Sequence, residues 1–328
     1  MHYSEIIFFG CFIAFIVGIL LVDLLVIDKE AHEVSMKEAG TWTAVWITLA
    51  LAFSAFLWFH GDLVHGIHNM SDLQLVVSRY ADHMKLNPND FEGSVHMYRQ
   101  HMTISYITGY LIEKTLSIDN LFVMMMIFTS FGVKKKDYQR VLNWGILGAI
   151  VMRFIFIFLG AAVIRQFDWI LIVFGGFLLY SGIKMFIDRN KDESHVDVEH
   201  HPVVKLLRKY FPFISPLMVT VIFIEFSDLI FAFDSIPAVF SVSLDPYVVF
   251  FSNVFAILGL RAMFFLLAGV ADRFRYLKPG VCVLLVFIGV KLLIHKYVEI
   301  GTIASLVFIL AVITLSIGLS LVIPEKKK

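Results

Sequence analysis

Charge is what this chain has least of. Of 328 residues, 16% are Asp, Glu, Lys or Arg against 59% hydrophobic, and the mean hydropathy is +0.82. Such values exclude an ordinary soluble domain and place the chain among polytopic membrane proteins. Neither sign of charge dominates: 27 basic and 27 acidic residues cancel, so nothing suggests a nucleic-acid or other polyanion partner. Cysteine is nearly missing as well. Cys11 and Cys282 fall in apolar runs and read as small buried hydrophobes, which excludes a disulfide framework or a thiolate metal site. The first apolar run, 6–27, lacks both a basic leader and a small-residue cleavage site, so it reads as a retained span. Low-complexity stretches and a second soluble domain are also absent.

What is present is a succession of long apolar runs. Taking roughly 20 apolar residues per crossing, nine are expected, near 5–27, 41–59, 103–129, 141–163, 168–187, 213–242, 247–268, 279–295 and 300–323. Backbone groups in lipid must be satisfied within the segment, so the expected fold is all-α. With the N terminus outside, 17 lysines and arginines lie on the inner side and 5 on the outer. That bias predicts an N-out, C-in topology.

Five basic residues remain inside spans: Lys114, Arg153, Lys184, Arg261 and Lys291. Four of them fall in matched segments. Arg153-Phe-Ile-Phe-Ile-Phe-Leu-Gly160 mirrors Arg261-Ala-Met-Phe-Phe-Leu-Leu-Ala-Gly269, and Gly182-Ile-Lys184 mirrors Gly289-Val-Lys291. Asn143 and Asn253 precede the two arginines at similar offsets. The chain therefore reads as a single membrane domain, 1–328. Two leading spans (1–59) and an outer loop (60–102) come first. Repeat 1 (103–187), a charged inner loop (188–212), repeat 2 (213–295) and a last span (300–323) follow. Three helices per repeat force the second copy to enter the membrane inverted, a plan that puts the site of many transporters near the midplane between repeats.

Each repeat carries the same acidic signature. Glu113 and Asp119 stand six residues apart with Asn120 following, and Asp228 and Asp234 do the same with Ser235 following; Glu225 joins the second set. Carboxylates in a bilayer are costly, so a matched pair in each half calls for a chemical reason. Spacing of three puts Glu225 and Asp228 on one helix face. Spacing of six separates two acids by about 120° on a regular helix. Convergence on one ion is then easier if the helix is interrupted, and Pro237 offers a break that frees the carbonyl of Phe233. An oxygen-rich set of carboxylates, Asn120, Ser117 and Ser235 suits Mn²⁺, Mg²⁺ or Ca²⁺. Met126 either adds a softer thioether or, with Met124, simply packs between helices. Arg153, Arg261, Lys184 and Lys291 are candidate counter-ions, although lysines near span ends also snorkel to the headgroups. Lys114 is assigned no strong role. Asp23 is either an inner-mouth acid or a solvated interfacial one.

The outer loop holds His60, His65, His68, His83, His96 and His101. The spacing of His65 and His68 admits a transition-metal site, though Gly61 and Gly66 disfavour a rigid helix there. Otherwise these are surface histidines of an amphipathic loop. His195, His200 and His201, in the inner loop, read as solvated.

The segments Glu113-Lys-x-x-Ser-x-Asp119-Asn120 and Glu225-x-Ser-Asp228-x-x-Phe-Ala-x-Asp234-Ser-Ile-Pro237-Ala resemble the TerC family, and within it the Alx-type membrane proteins. Thr108-Gly-Tyr-Leu, Phe167-Asp-Trp-Ile-Leu and Asn253-Val-Phe-Ala-Ile-Leu-Gly-Leu-Arg261 extend the likeness over nearly the whole chain from about residue 103. The resemblance implies an inner-membrane transporter akin to LysE-type exporters, with Mn²⁺ efflux its best-supported activity. It also implies that Glu113, Asp119, Asn120, Glu225, Asp228, Asp234 and Ser235 line the ion site. The long histidine-rich outer loop departs from the family pattern. On this reading Mn²⁺ is a transported substrate, no cofactor is permanently bound, and the chain is no enzyme. The Gly-x-Gly-Asp signature of intramembrane aspartyl proteases is absent. Alternatives are transport of Ca²⁺ or Mg²⁺, a tellurium-related or other oxyanion route, and a membrane scaffold that loads metal into exported proteins. Partners beyond lipid and metal would be a second copy or other membrane proteins.

Overall fold

The computed structural model describes residues 3–22, 34–167, 169–188, 215–269, 276–294, 297–298 and 300–322. Among them every regular element is helical. In chain order these are α1 (Tyr3–Val22), α2 (Met36–His60), a single 3-10 turn (Gly61–Val64), α3 (Met70–Tyr80) and α4 (Phe91–Ser130). Then come α5 (Lys135–Gln166), α6 (Trp169–Asp188), α7 (Pro216–Phe240), α8 (Pro246–Leu258), α9 (Leu260–Ala268), α10 (Leu277–Ile294) and α11 (Thr302–Val322). Local sequence accounts for many of the starts. Ser35 and Glu38 form a reciprocal capping box on α2, and Asn69, Ser215 and Asp245 each accept from a first-turn N–H of α3, α7 and α8.

Among the described residues, five helices are long and apolar enough to cross a membrane, or six if α8 and α9, which meet at a 42° bend, count as one. This is short of the nine expected. α10 offers only the apolar stretch Pro279–Ile294, and α4 and α7 carry the acids together with side chains outside the described residues. The exterior is apolar: Phe15, Leu21, Phe59, Trp144, Leu159, Ile187 and Leu315 are all exposed. A surface of that kind is suited to lipid rather than water. Cys11 belongs to this exterior and is exposed on α1, which corrects its reading as buried; Cys282 is buried.

The centre is α8. Every residue from Pro246 to Leu258 is buried, as befits a helix that is apolar all round. Phe250, Phe251 and Phe255 meet Phe9 and Phe12 of α1 and Phe53 of α2, the closest ring centroids being 4.3 Å apart for Phe12–Phe251 and 4.9 Å for Phe53–Phe255. Pairs at these distances and tilts are favourable aromatic contacts.

The most extensive helix–helix contact joins α6 to α10. Glycine makes it possible: a Cβ on Gly289 would come within 2.6 Å of the Leu179 nitrogen and 2.8 Å of the Gly175 carbonyl oxygen. In lipid, where the hydrophobic effect does not drive helices together, close backbone approach through small residues carries the association.

Two local expectations fail. α7 runs through Pro237 to Phe240 without a break. Pro237 lies in the last turn, where its ring removes one donor close to the helix end, and Ser241 N–H donates back to its carbonyl at 3.1 Å. The outer segment is also not a loose loop: the 3-10 turn, α3 and the first turns of α4 occupy it, with Arg99 Nε donating to Asp62 Oδ1 at 2.7 Å. Gly66, at φ +62°, turns the chain where a Cβ would collide with Ser4 of α1.

Gly289→Val should therefore lower stability in detergent by about 1–3 kcal/mol through overpacking. Gly176→Ala, with nothing within 4 Å of its added Cβ, should be neutral or slightly stabilising. Parallel thermal unfolding checks the pair, and equal melting of both variants would contradict the packing account.

Candidate functional site

The polar centre lies where α4, α5, α7 and α8 meet. Glu113 of α4 is buried and pairs with Arg153 Nη1 of α5 at 2.5 Å. Ser117, one turn on, donates to Glu113 Oε1 at 3.2 Å. Arg153 Nη1 also donates to Asn253 Oδ1 in the middle of α8, and Asn253 Nδ2 is anchored on the Val249 carbonyl at 2.8 Å. Asn120, seven residues beyond Glu113 and so on nearly the same face of α4, donates to Asp228 Oδ1 of α7. A charge in so dry a place is tolerable only with a partner, and each group supplies one to the next.

The two arginines exchange partners. Arg153 of α5 bonds Asn253 of α8, and Arg261 of α9 bonds Asn143 of α5 at 2.5 Å. Glu225 faces α5 from α7, its carboxylate filling the space that a Cβ on Gly148 would need.

Several buried oxygens here have no hydrogen-bond partner among the described residues: Glu113 Oε2, Asn120 Oδ1, Glu225 Oε1 and Ser235 Oγ. Glu113, Ser117, Asn120, Arg153 and Ser235 line one void of about 20 Å³, enough for one water-sized species. Orphaned acceptors are costly in apolar surroundings. A hard cation or a water would satisfy them. The structure thus brings together Glu113, Asn120, Asp228 and Ser235 with Arg153, and sets Glu225 against α5. The side chains of Asp119, Asp234, Met126 and Phe233 lie outside the described residues, as do Asp23, His195, His200 and His201. No group of three or more His, Cys, Asp or Glu disposed to hold a metal occurs among the described residues.

The other basic residues go elsewhere. Lys291 is buried and donates to Ser305 Oγ of α11 at 2.9 Å. Lys184 is exposed on α6 with its ammonium 5.7 Å from the Tyr180 ring centroid. Lys114, given no role above, reaches across to donate to the Ala256 carbonyl at 3.1 Å. It thereby caps the last turn of α8 just before the bend at Gly259, where the helix dipole favours a cation. The acceptor lies 142 residues away, so local sequence carried no signal for this bond.

His65 is the other surprise. It is buried, with Nδ1 2.9 Å from Glu5 Oε1 and Nε2 2.8 Å from Asp245 Oδ2. Both ring nitrogens are committed, so His65 does not act with His68 as a metal chelate. Burial pushes its pKa down, but the charge and hydrogen bond of Asp245 and those of Glu5 outweigh this and hold it up at about 9. The imidazolium ties α1, the outer segment and the N-cap of α8 together. Nearby, His101 Nε2 of α4 lies 3.2 Å from His83 Nε2. Burial, then the neighbouring His83, push the His101 pKa down to about 4, so the ring is neutral at physiological pH.

The family described as "Integral membrane protein TerC family" matches residues 98–328. A Myxococcus xanthus protein named "Uncharacterized membrane protein STKORF319" is 38% identical over 329 residues, covering 95% of this chain and 91% of the relative. An Escherichia coli K12 protein that bears the name "Putative membrane-bound redox modulator Alx" is 40% identical over 326 residues, covering 94% and 92%. A Rickettsia bellii membrane protein is 32% identical over 329 residues, covering 95% and 96%. No solved structure matches.

Arg153→Ala, which strands Glu113 in the interior, should destabilise by about 3–5 kcal/mol. The double variant Arg153→Gln with Glu113→Gln should recover a good part of that in thermal unfolding, and no recovery would contradict the pairing. For His65 the folded pKa lies above the free value of 6.5. Its contribution is therefore complete below about pH 6.5 and lost as pH rises through about 9. Native protein should lose stability over that window, by a few kcal/mol on the order set by the shift, whereas His65→Gln should be less stable at pH 6 and nearly flat. Parallel native and variant melting curves against pH would exclude the His65 bridge.

Proposed function

The chain belongs to the TerC family of integral membrane proteins, and from that premise we propose that it exports a hard divalent cation, Mn²⁺ foremost, across the bacterial inner membrane by alternating access. The observation that carries the reading is the set of buried oxygens without hydrogen-bond partners among the described residues: Glu113 Oε2, Asn120 Oδ1 and Ser235 Oγ around the void that Arg153 also lines, and Glu225 Oε1 against α5. Oxygen donors with neither thiolate nor imidazole among them suit Mn²⁺, Mg²⁺ or Ca²⁺ over zinc or copper. Asp119 and Asp234 complete the ligand set by their place in the two sequence signatures. Nine spans fit this reading, with α4, α7 and α10 crossing alongside the five apolar helices and the bent α8–α9 pair.

The exchanged Arg153–Asn253 and Arg261–Asn143 bonds support an inverted repeat, since related residues then bond across the axis in both directions. The glycine-mediated packing of α6 on α10 joins the third helix of each repeat in the same way. In the exporter, Arg153 is the resident counter-charge. With no metal bound it pairs with Glu113; an arriving cation competes for that carboxylate and loosens the link between α4, α5 and α8. A step of this kind couples binding to movement of one repeat against the other.

An inside-negative potential opposes outward movement of a divalent ion by roughly 4.6 kcal/mol per 100 mV. Export thus needs proton entry in exchange or a steep outward gradient, and the surplus acids favour protons. The name of the E. coli relative speaks of redox modulation. In this chain such an effect would follow from the metal moved, since Cys11 on α1 is exposed on the apolar exterior and Cys282 on α10 is buried, and the two share no disulfide. A scaffold role is less favoured, since the outer segment is bonded into the membrane helices through His65.

In proteoliposomes with an internal metal-sensitive dye, native protein should move Mn²⁺. Glu113→Gln, Asp119→Asn, Asp228→Asn and Asp234→Asn should each reduce the rate by about tenfold or more. Folded protein inert towards Mn²⁺, Mg²⁺ and Ca²⁺ would overturn the proposal. A rate indifferent to pH gradients at fixed voltage would remove the proton coupling alone.

A further inference from the structure

Outside the membrane site, a cavity of about 720 Å³ opens between the end of α3, α4, α6, the end of α7, α10 and α11. Two histidines on its wall point at each other. His83 follows α3 and is exposed; His101 sits on α4 and is half-buried. Their Nε2 atoms are 3.2 Å apart, with ring centroids at 5.0 Å and planes at 56°.

Two facing imidazole nitrogens have two uses. One ring can donate its N–H to the other, or both can turn lone pairs on a shared ion. A tetrahedral ion with metal–nitrogen bonds of about 2.0–2.1 Å holds two such ligands roughly 3.3 Å apart, and the observed separation meets that requirement without rearrangement. The approach is also built rather than incidental. The intervening turn is fixed by Ser94 Oγ, which accepts from Asn87 N–H and donates to the Asn87 carbonyl, both at 3.2 Å. Asp90 Oδ1 caps the start of α4 by accepting from Gly93 N–H at 2.9 Å. These bonds bring together two histidines 18 positions apart. Asp82 and Gln100, their sequence neighbours, line the same cavity.

We propose that His83 and His101 form a two-histidine site for a borderline divalent transition-metal ion of the zinc class, with its remaining positions filled by water from the cavity. Imidazole selects zinc, cobalt, nickel or copper, whereas the oxygen-only membrane site selects harder ions. Open positions make it an exchanging site rather than a structural one. It is separate from the carboxylates and stands whether or not they carry manganese.

The test uses the full chain, free of any affinity tag, in detergent, with Zn²⁺ titrated calorimetrically and Co²⁺ followed by its visible absorption. Native protein should bind one ion through this pair. His83→Gln, a change at an exposed position, and His101→Ala should each weaken binding by about tenfold or more, equivalent to 1.4 kcal/mol. Asp228→Asn should leave it unchanged. Native protein that binds neither ion would leave only a hydrogen-bonded pair and overturn the site. Binding that survives both histidine changes, or disappears in Asp228→Asn, would assign the ion elsewhere and overturn it equally.

Discussion

The ion pair between Arg153 and Glu113 governs the interior of this protein. Neither group can stand alone in apolar surroundings, and together they are still short of hydrogen bonds. Asn253 answers part of that deficit from the middle of α8, and it can do so only because α8 is buried on every side. Asn120 and Asp228 bring α7 to the same centre. Four helices are thus registered on a polar core whose members each depend on the next. The surrounding aromatic and glycine-mediated contacts set how closely those helices approach, but not which residues face one another.

That core was partly legible in the chain. Charges inside long apolar runs are costly enough to mark themselves, so Glu113, Asn120, Asp228 and Arg153 stood out, and the matched offsets of Asn143 and Asn253 flagged the residues that now bond the arginines. Partners separated by long stretches of chain were not legible. His65 reads as a surface histidine until Glu5 and Asp245, 60 and 180 positions away, are seen to enclose it. Lys114 likewise acquires its task from the end of α8. Helix continuity past Pro237 was not legible either, because the residue removes a donor wherever it stands beyond the first turn and the helix nevertheless runs on to Phe240. The number of spans was the least secure inference, because a hydropathy window treats the acid-bearing helices, which are the most informative, as the least membrane-like.

Tight pairing and transport pull in opposite directions. A bilayer-embedded carboxylate needs a counter-charge when no metal is bound, but a counter-charge held too firmly excludes the metal. Arg153 meets both demands if Glu113 is shared: one oxygen faces the guanidinium and the other, Oε2, has no hydrogen-bond partner among the described residues. In the proposed exporter, incoming metal would weaken a link between helices instead of creating one, and binding energy would be converted into the freedom to move that alternating access requires.

The central claim, that these oxygens hold a hard cation, is tested most directly by equilibrium binding of Mn²⁺ to the purified chain, read by electron paramagnetic resonance. Native protein should bind Mn²⁺ in an all-oxygen environment, with binding lost in Glu113→Gln and Asp228→Asn and retained in His83→Gln. Manganese bound equally well by both carboxylate variants, or through nitrogen, would contradict the account.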